Sequence, residues 1–160
     1  MRVLIAGFGN KFMSDDGFGP RVIEELTKLK LPENVELRDV GLCDVTLAPD
    51  LADYDLVIFV DAVKTGGEPG TLYVLEITAG DVETRVGNLT AKLSLHQTGV
   101  EEIIITAKAI GTLPRKVVVV GCEVERVELG EGLSKKVEEA IGNAVKLILE
   151  FLAGDKSAEN

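Results

Sequence analysis

A chain of 160 residues with 46% hydrophobic and 28% charged residues fits one globular domain, long enough to bury a core without staples. Its 27 acidic against 17 basic residues leave a net charge of −10, which repels phosphate backbones and argues against nucleic acid or an anionic membrane as partner. No apolar run approaches the ~20 residues of a membrane helix. Val3–Ala6 is too short for the core of a signal peptide, so a cytoplasmic location is expected. Cys43 and Cys122 form no Cys-x-x-Cys pair and read as reduced thiols.

Along the chain, short β-branched runs alternate with helical spacing, the pattern of βαβ units. The fold expected is a single-domain α/β architecture, a mostly parallel twisted sheet of about five strands with helices on both faces. Strands are expected at Arg2–Ala6, Val35–Val40, Asp55–Val60, Gly70–Ile77 and Lys116–Gly121, the fourth as a possible antiparallel edge. The first helix spans residues 17–30, with Val22, Ile23, Leu26 and Leu29 on one stripe and Pro20 in its first turn. A short helical turn follows at Leu47–Ala52. Thr98-Gly99-Val100-Glu101 reads as a capping box opening a helix that Gly111 stops. Ser134 and Glu138 frame the start of the last helix, which runs to about Leu152. The domain covers residues 1–153, and residues 154–160 form a polar tail.

Ligands of open α/β sheets bind beyond the carboxyl ends of the strands, so the residues that follow each strand carry the chemistry. After the first strand, Gly7-Phe8-Gly9 suggests a dinucleotide fingerprint, but Phe12 stands where its third glycine belongs. Without that fingerprint, Asp39 cannot serve as the ribose-binding acid. Asp15 and Asp16 precede the first helix and either cap it or send one carboxylate into the crevice. Asp61 directly follows an apolar strand that looks buried on both faces; a carboxylate there caps the loop or sits at the crevice itself. His96, the only histidine, either packs at a helix start or projects from its loop. Together Asp16, Asp61 and His96 offer two oxygens and an imidazole, a set that suits nickel or zinc and leaves positions open for substrate. Cys43 and Cys122 read as small buried hydrophobes, with metal ligation the alternative. The alternating run Glu123–Glu128 reads as a strand or loop with a solvated face.

Gly7-Phe8-Gly9-Asn10, Asp15-Asp16-Gly17-Phe18-Gly19, Val60-Asp61-Ala62-Val63 with Pro69-Gly70, Leu95-His96-Gln97 and Val120-Gly121-Cys122-Glu123 occur in the order seen in hydrogenase maturation proteases. From Met1 to about Leu152 the chain resembles these nickel-dependent endopeptidases. The resemblance implies removal of a C-terminal extension from the large-subunit precursor of a nickel–iron hydrogenase after nickel insertion. It matches Asp16 to the family's first acidic metal-binding position, Asp61 to the second acid and His96 to the imidazole, as both catalytic and metal-binding residues. The implied nickel is supplied by the precursor, other divalent ions being able to substitute, and the protein is expected to act as a monomer. Cys122 departs from the aliphatic residue usual in Gly121-x-Glu. Surface loops such as Lys64–Gly70 and Glu83–Lys92 are expected to select the hydrogenase served. The rival readings are a nickel-binding or chaperone module that does not cut, a nucleotide-binding domain, and a hydrolase of the same fold acting on another small protein.

Overall fold

The computed structural model describes residues 1–42, 46–78 and 99–158, with side chains described through residue 154. Cys43, Glu83–Lys92, Thr98 and the Leu95-His96-Gln97 motif therefore lie outside the described residues.

Three apolar runs make the centre of the sheet: β1 (Val3–Phe8), β3 (Leu56–Val63) and β5 (Lys116–Glu123). Every residue of β1 and β3 is buried, as continuous Val/Ile/Leu runs require when helices cover both faces. With β2 (Val35–Gly41) and β4 (Leu72–Thr78) they form one five-stranded sheet in the order β2-β1-β3-β5-β4. The first three pairings are parallel, while β4 lies antiparallel to β5. The expected architecture is thus observed, antiparallel edge included. β1, β3 and β5 run two or three residues beyond their expected ends, because the chain keeps pairing until it reaches the polar loops.

Between the strands lie α1 (Phe18–Thr27), a short α2 (Leu47–Asp50) extended by a 3₁₀ turn at Leu51–Asp53, α3 (Val100–Ile110) and α4 (Lys135–Ala158). α1 and α4 pack on one face through Val22, Leu26, Val137, Ala144 and Ile148. α2 and α3 pack on the other through Leu47, Leu51, Val100, Ile103 and Ala107. Two local expectations are revised. α1 stops at Thr27, which leaves Leu29 exposed. Thr98, which opens the expected capping box of α3, lies outside the described residues; Gly99 before the helix is left-handed at φ 87°, and Gly111 ends it at φ 79° as expected. α4 continues past Leu152 to Ala158, because Ala and Lys extend a helix even after the apolar stripe has ended. No helix among the described residues is long and apolar enough to cross a membrane.

Candidate active site

The glycines after β1 weld a turn onto the sheet. Gly9 has φ +130°, and a Cβ there would lie 1.9 Å from the carbonyl oxygen of Asp16; only glycine admits both the conformation and the contact. A Cβ on Gly19 would lie 2.2 Å from the carbonyl oxygen of Phe8 and 2.7 Å from that of Val60. These two close approaches seat the 3₁₀ turn Ser14–Gly17 and the first turn of α1 on the carboxyl ends of β1 and β3. A Cβ on Gly7 would likewise lie 2.7 Å from the carbonyl oxygen of Gly19, so Gly7 and Gly9, the pair that imitated a nucleotide fingerprint, serve backbone packing.

On that turn the two aspartates diverge. Asp15 is fully buried. Its carboxylate accepts from the backbone N–H of Glu125 at 2.8 Å, Arg126 at 3.0 Å and Ser134 at 2.7 Å, and from the Ser134 hydroxyl at 2.9 Å. Burial pushes its pKa up, but the N–H groups of Arg126, Ser134 and Glu125 and the Ser134 hydroxyl together hold it below the usual aspartate value. Asp16 is half-buried and accepts one bond, from the Asn10 N–H at 2.8 Å. Burial lifts its carboxyl above the usual value, with only the Asn10 bond opposing. Neither the 3₁₀ turn nor α1 has a side-chain cap, so the capping reading of both aspartates is corrected. Asp15 is committed to a loop on the far side of the sequence, and Asp16 remains beside the crevice.

Asp61 is 1% exposed and its Oδ1 accepts from the Ala62 N–H at 2.8 Å. Strand alternation sends it to the same face as Val57, Phe59 and Val63, the face covered by α3. Gly7 pairs with Val60 in register, so Asp61 stands level with the end of β1, the strand end on which the Asp16 turn is seated. The structure thus brings Asp16 and Asp61 to adjoining strand ends; His96 lies outside the described residues. Among the described residues no three His, Cys, Asp or Glu side chains form a metal-holding group.

The structure separates Cys122 from this place. It alternates with Val118 and Val120 toward α1 and α4, on the face opposite Asp61. Burial first, then the charges of Asp15 and Glu123, push its thiol up to about 12. It is a core thiol, not a nucleophile.

Glu123 is the residue most misread from sequence. It is buried, not solvated, and on the Asp61 side of the sheet by alternation from Val117 and Val119. Its carboxylate accepts from the Thr65 N–H at 2.8 Å, the Thr65 hydroxyl, the Gly67 N–H at 3.1 Å and the Tyr73 hydroxyl at 2.9 Å. Burial raises its pKa, but Thr65, Tyr73 and Gly67 outweigh that and hold it below the usual glutamate value. The loop leaving the Asp61 strand is thereby clamped. The available signal was the one that marked Asp61: a charged residue at the end of an apolar run. Asp39 serves locally, accepting from the Gly41 N–H at 3.2 Å.

Comparison with known proteins shows the family of the chain. A family profile described as hydrogenase maturation protease matches residues 20–151. The chain is 36% identical over 151 residues to a hydrogenase expression/formation protein of Rhodobacter capsulatus, covering 91% of this chain and 70% of that one. Among solved structures, the hydrogenase 2 maturation peptidase of Thaumarchaeota archaeon SCGC_AB-539-E09 shares 41% identity with a TM-score of 0.75, covering 95% of this chain and 98% of that one. The hydrogenase-maturating endopeptidase of E. coli superposes with a TM-score of 0.84 at 32% identity, covering 97% and 94%. The chain belongs to the hydrogenase maturation protease family, and it is a peptide hydrolase.

Proposed function

We propose that the protein is the endopeptidase that removes the C-terminal extension of a nickel–iron hydrogenase large-subunit precursor once nickel is in place, with Asp16, Asp61 and His96 reading the nickel that the precursor carries. The observation supporting this is the pair of carboxylates at the adjoining ends of β1 and β3 in a chain of the maturation protease family. Family membership favours a peptidase over a module that only binds nickel. Two carboxylate oxygens and one imidazole nitrogen suit nickel and related divalent ions while leaving positions for groups of the precursor. The ion is part of the substrate in this reading, and when bound it supplies polarisation of the scissile carbonyl.

The chain's own residues do the rest. Asp61, buried and fixed through Oδ1 by the Ala62 N–H, presents a carboxylate whose direction is set by the sheet. Asp16, held by the Asn10 N–H, supplies the second carboxylate, and a water beside these groups attacks the scissile carbonyl. The proton that this water releases goes to the leaving amide nitrogen as the peptide bond breaks.

The test is gel mobility of a nickel-loaded precursor incubated with the protein. Wild type shortens the precursor, whereas Asp16→Asn and His96→Ala leave it full length. Processing at the normal rate by either variant overturns the residue assignment. A stable wild-type complex in which the precursor keeps its length supports the non-cutting binder instead.

A further inference from the structure

We infer that the two loops joined beside Asp16 form a docking rim for the polypeptide substrate, with Phe12, Val127 and Leu129 as its apolar contacts; this rests on the peptidase reading above. The backbones of residues 10–14 and 124–132 are sewn together. Met13 pairs with Gly130 in a parallel bridge. The Ser14 N–H donates to the Gly130 carbonyl and the Gly130 N–H to the Phe12 carbonyl, each at 2.8 Å. The Ser14 hydroxyl donates to the Glu128 carbonyl at 2.9 Å, and the Asp15 carboxylate fastens the root of the second loop.

On this firmly held backbone, large apolar side chains point to solvent. Phe12 is 51% exposed, Val127 47% and Leu129 86%, whereas Phe8, Phe18 and Phe59 are all fully buried. Apolar groups displayed together at the edge of a functional crevice mark a surface that another molecule covers. A rim ordered in advance also loses little freedom on binding.

The rim is continuous with the crevice through one residue, Asn10. The Asn10 N–H donates to Asp16 Oδ2 at 2.8 Å, and Asn10 Oδ1 accepts from the Phe12 N–H at 2.9 Å. Phe12 and Asp16 are thereby tied to the same residue, which joins the rim to the candidate site. The charges beside the rim are mixed, with Lys11 and Arg126 against Glu125, Glu128 and Glu131, so they select no sign of partner. The occupant is accordingly the precursor segment flanking the cleaved bond, recognised by its apolar side chains.

The test is steady-state cleavage of nickel-loaded precursor by the Phe12→Ser/Leu129→Ser double variant. Both side chains are exposed, so thermal unfolding should stay within a few degrees of wild type. The expected result is KM raised about tenfold or more with kcat within about twofold, and Phe12→Leu/Leu129→Met restoring wild-type KM. If wild type cleaves and the double variant shows an unchanged KM, the rim proposal is overturned and the peptidase reading stands. If wild type cleaves no precursor, both fall. A dimer dispersed by the double variant without change in KM would make the rim a contact between copies, and also overturns the proposal.

Discussion

Removing the Asp15 carboxylate should cost the protein a large part of its stability. Asp15→Ala leaves three backbone N–H groups and one hydroxyl without their acceptor. A buried donor so orphaned costs about 1–3 kcal/mol, but the Glu125 and Arg126 amides lie at the foot of a surface loop and water can reach them. Ser134 is buried and suffers most. The expected loss is about 3–5 kcal/mol, in the upper tail for single substitutions, or about 10 °C in Tm for a domain of this size. Asp15→Asn should cost less, about 2 kcal/mol: its amide oxygen can replace the oxygen that serves Glu125, Arg126 and the Ser134 hydroxyl, while its NH₂ then opposes the Ser134 N–H. Urea unfolding with a shared m-value gives both numbers. Amide exchange should accelerate at Glu125, Arg126 and Ser134. An Asp15→Ala cost below about 1 kcal/mol, or exchange unchanged at those amides, would refute this reasoning.

Acid should act through the same carboxylate and through Glu123. Both are held below their ordinary values of 3.8 and 4.5 in the fold. The unfolded chain therefore takes up protons first, and the stabilisation is complete above pH 4.5 and lost as pH falls through the folded values. Urea unfolding across pH 6 to 3 should show this decline, and Asp15→Asn should flatten part of it; equal slopes would exclude Asp15 as a source. Gly9→Ala places a Cβ 1.9 Å from the Asp16 carbonyl oxygen at φ +130°. The turn must leave the sheet, so thermal melts should show a loss of about 3 kcal/mol or more together with loss of precursor cleavage; near-wild-type behaviour would mean that the turn is not seated there. Cys122, pushed up to about 12, should resist iodoacetamide at pH 8 in a native Cys43→Ser background. Cys122→Ala should still cleave precursor, and loss of cleavage by a folded variant would contradict the core-thiol assignment.

The sheet was legible because its central strands announce themselves. Val3–Ala6, Leu56–Val60 and Val117–Val120 are apolar without alternation, which demands cover on both faces, and Pro20 and Gly111 mark helix ends by backbone geometry alone. Asp61 was legible for the related reason that a charge ends such a run. The roles of Asp15 and Glu123 were not, because local propensity sees a cap and an alternating polar strand. Their hydrogen-bond partners lie 50 or more residues away, and no pattern within a window of neighbours encodes them. Helix α4 overran its apolar stripe because propensity continued to favour it where burial had stopped. In the sequence Asp16 was set apart from Asp15 by the family resemblance; in the structure it accepts a single bond where Asp15 accepts four.

The long reach of Asp15 has a consequence for synthesis. Its partners stand 110, 111 and 119 positions further along the chain. Until the loop ahead of α4 has been synthesised, the turn that bears Asp16 rests on its contacts with the sheet and lacks the partners of Asp15. That turn is therefore fully fastened only when Glu125, Arg126 and Ser134 have arrived, and a product truncated before them would leave translation with its sheet largely written but its first turn half secured.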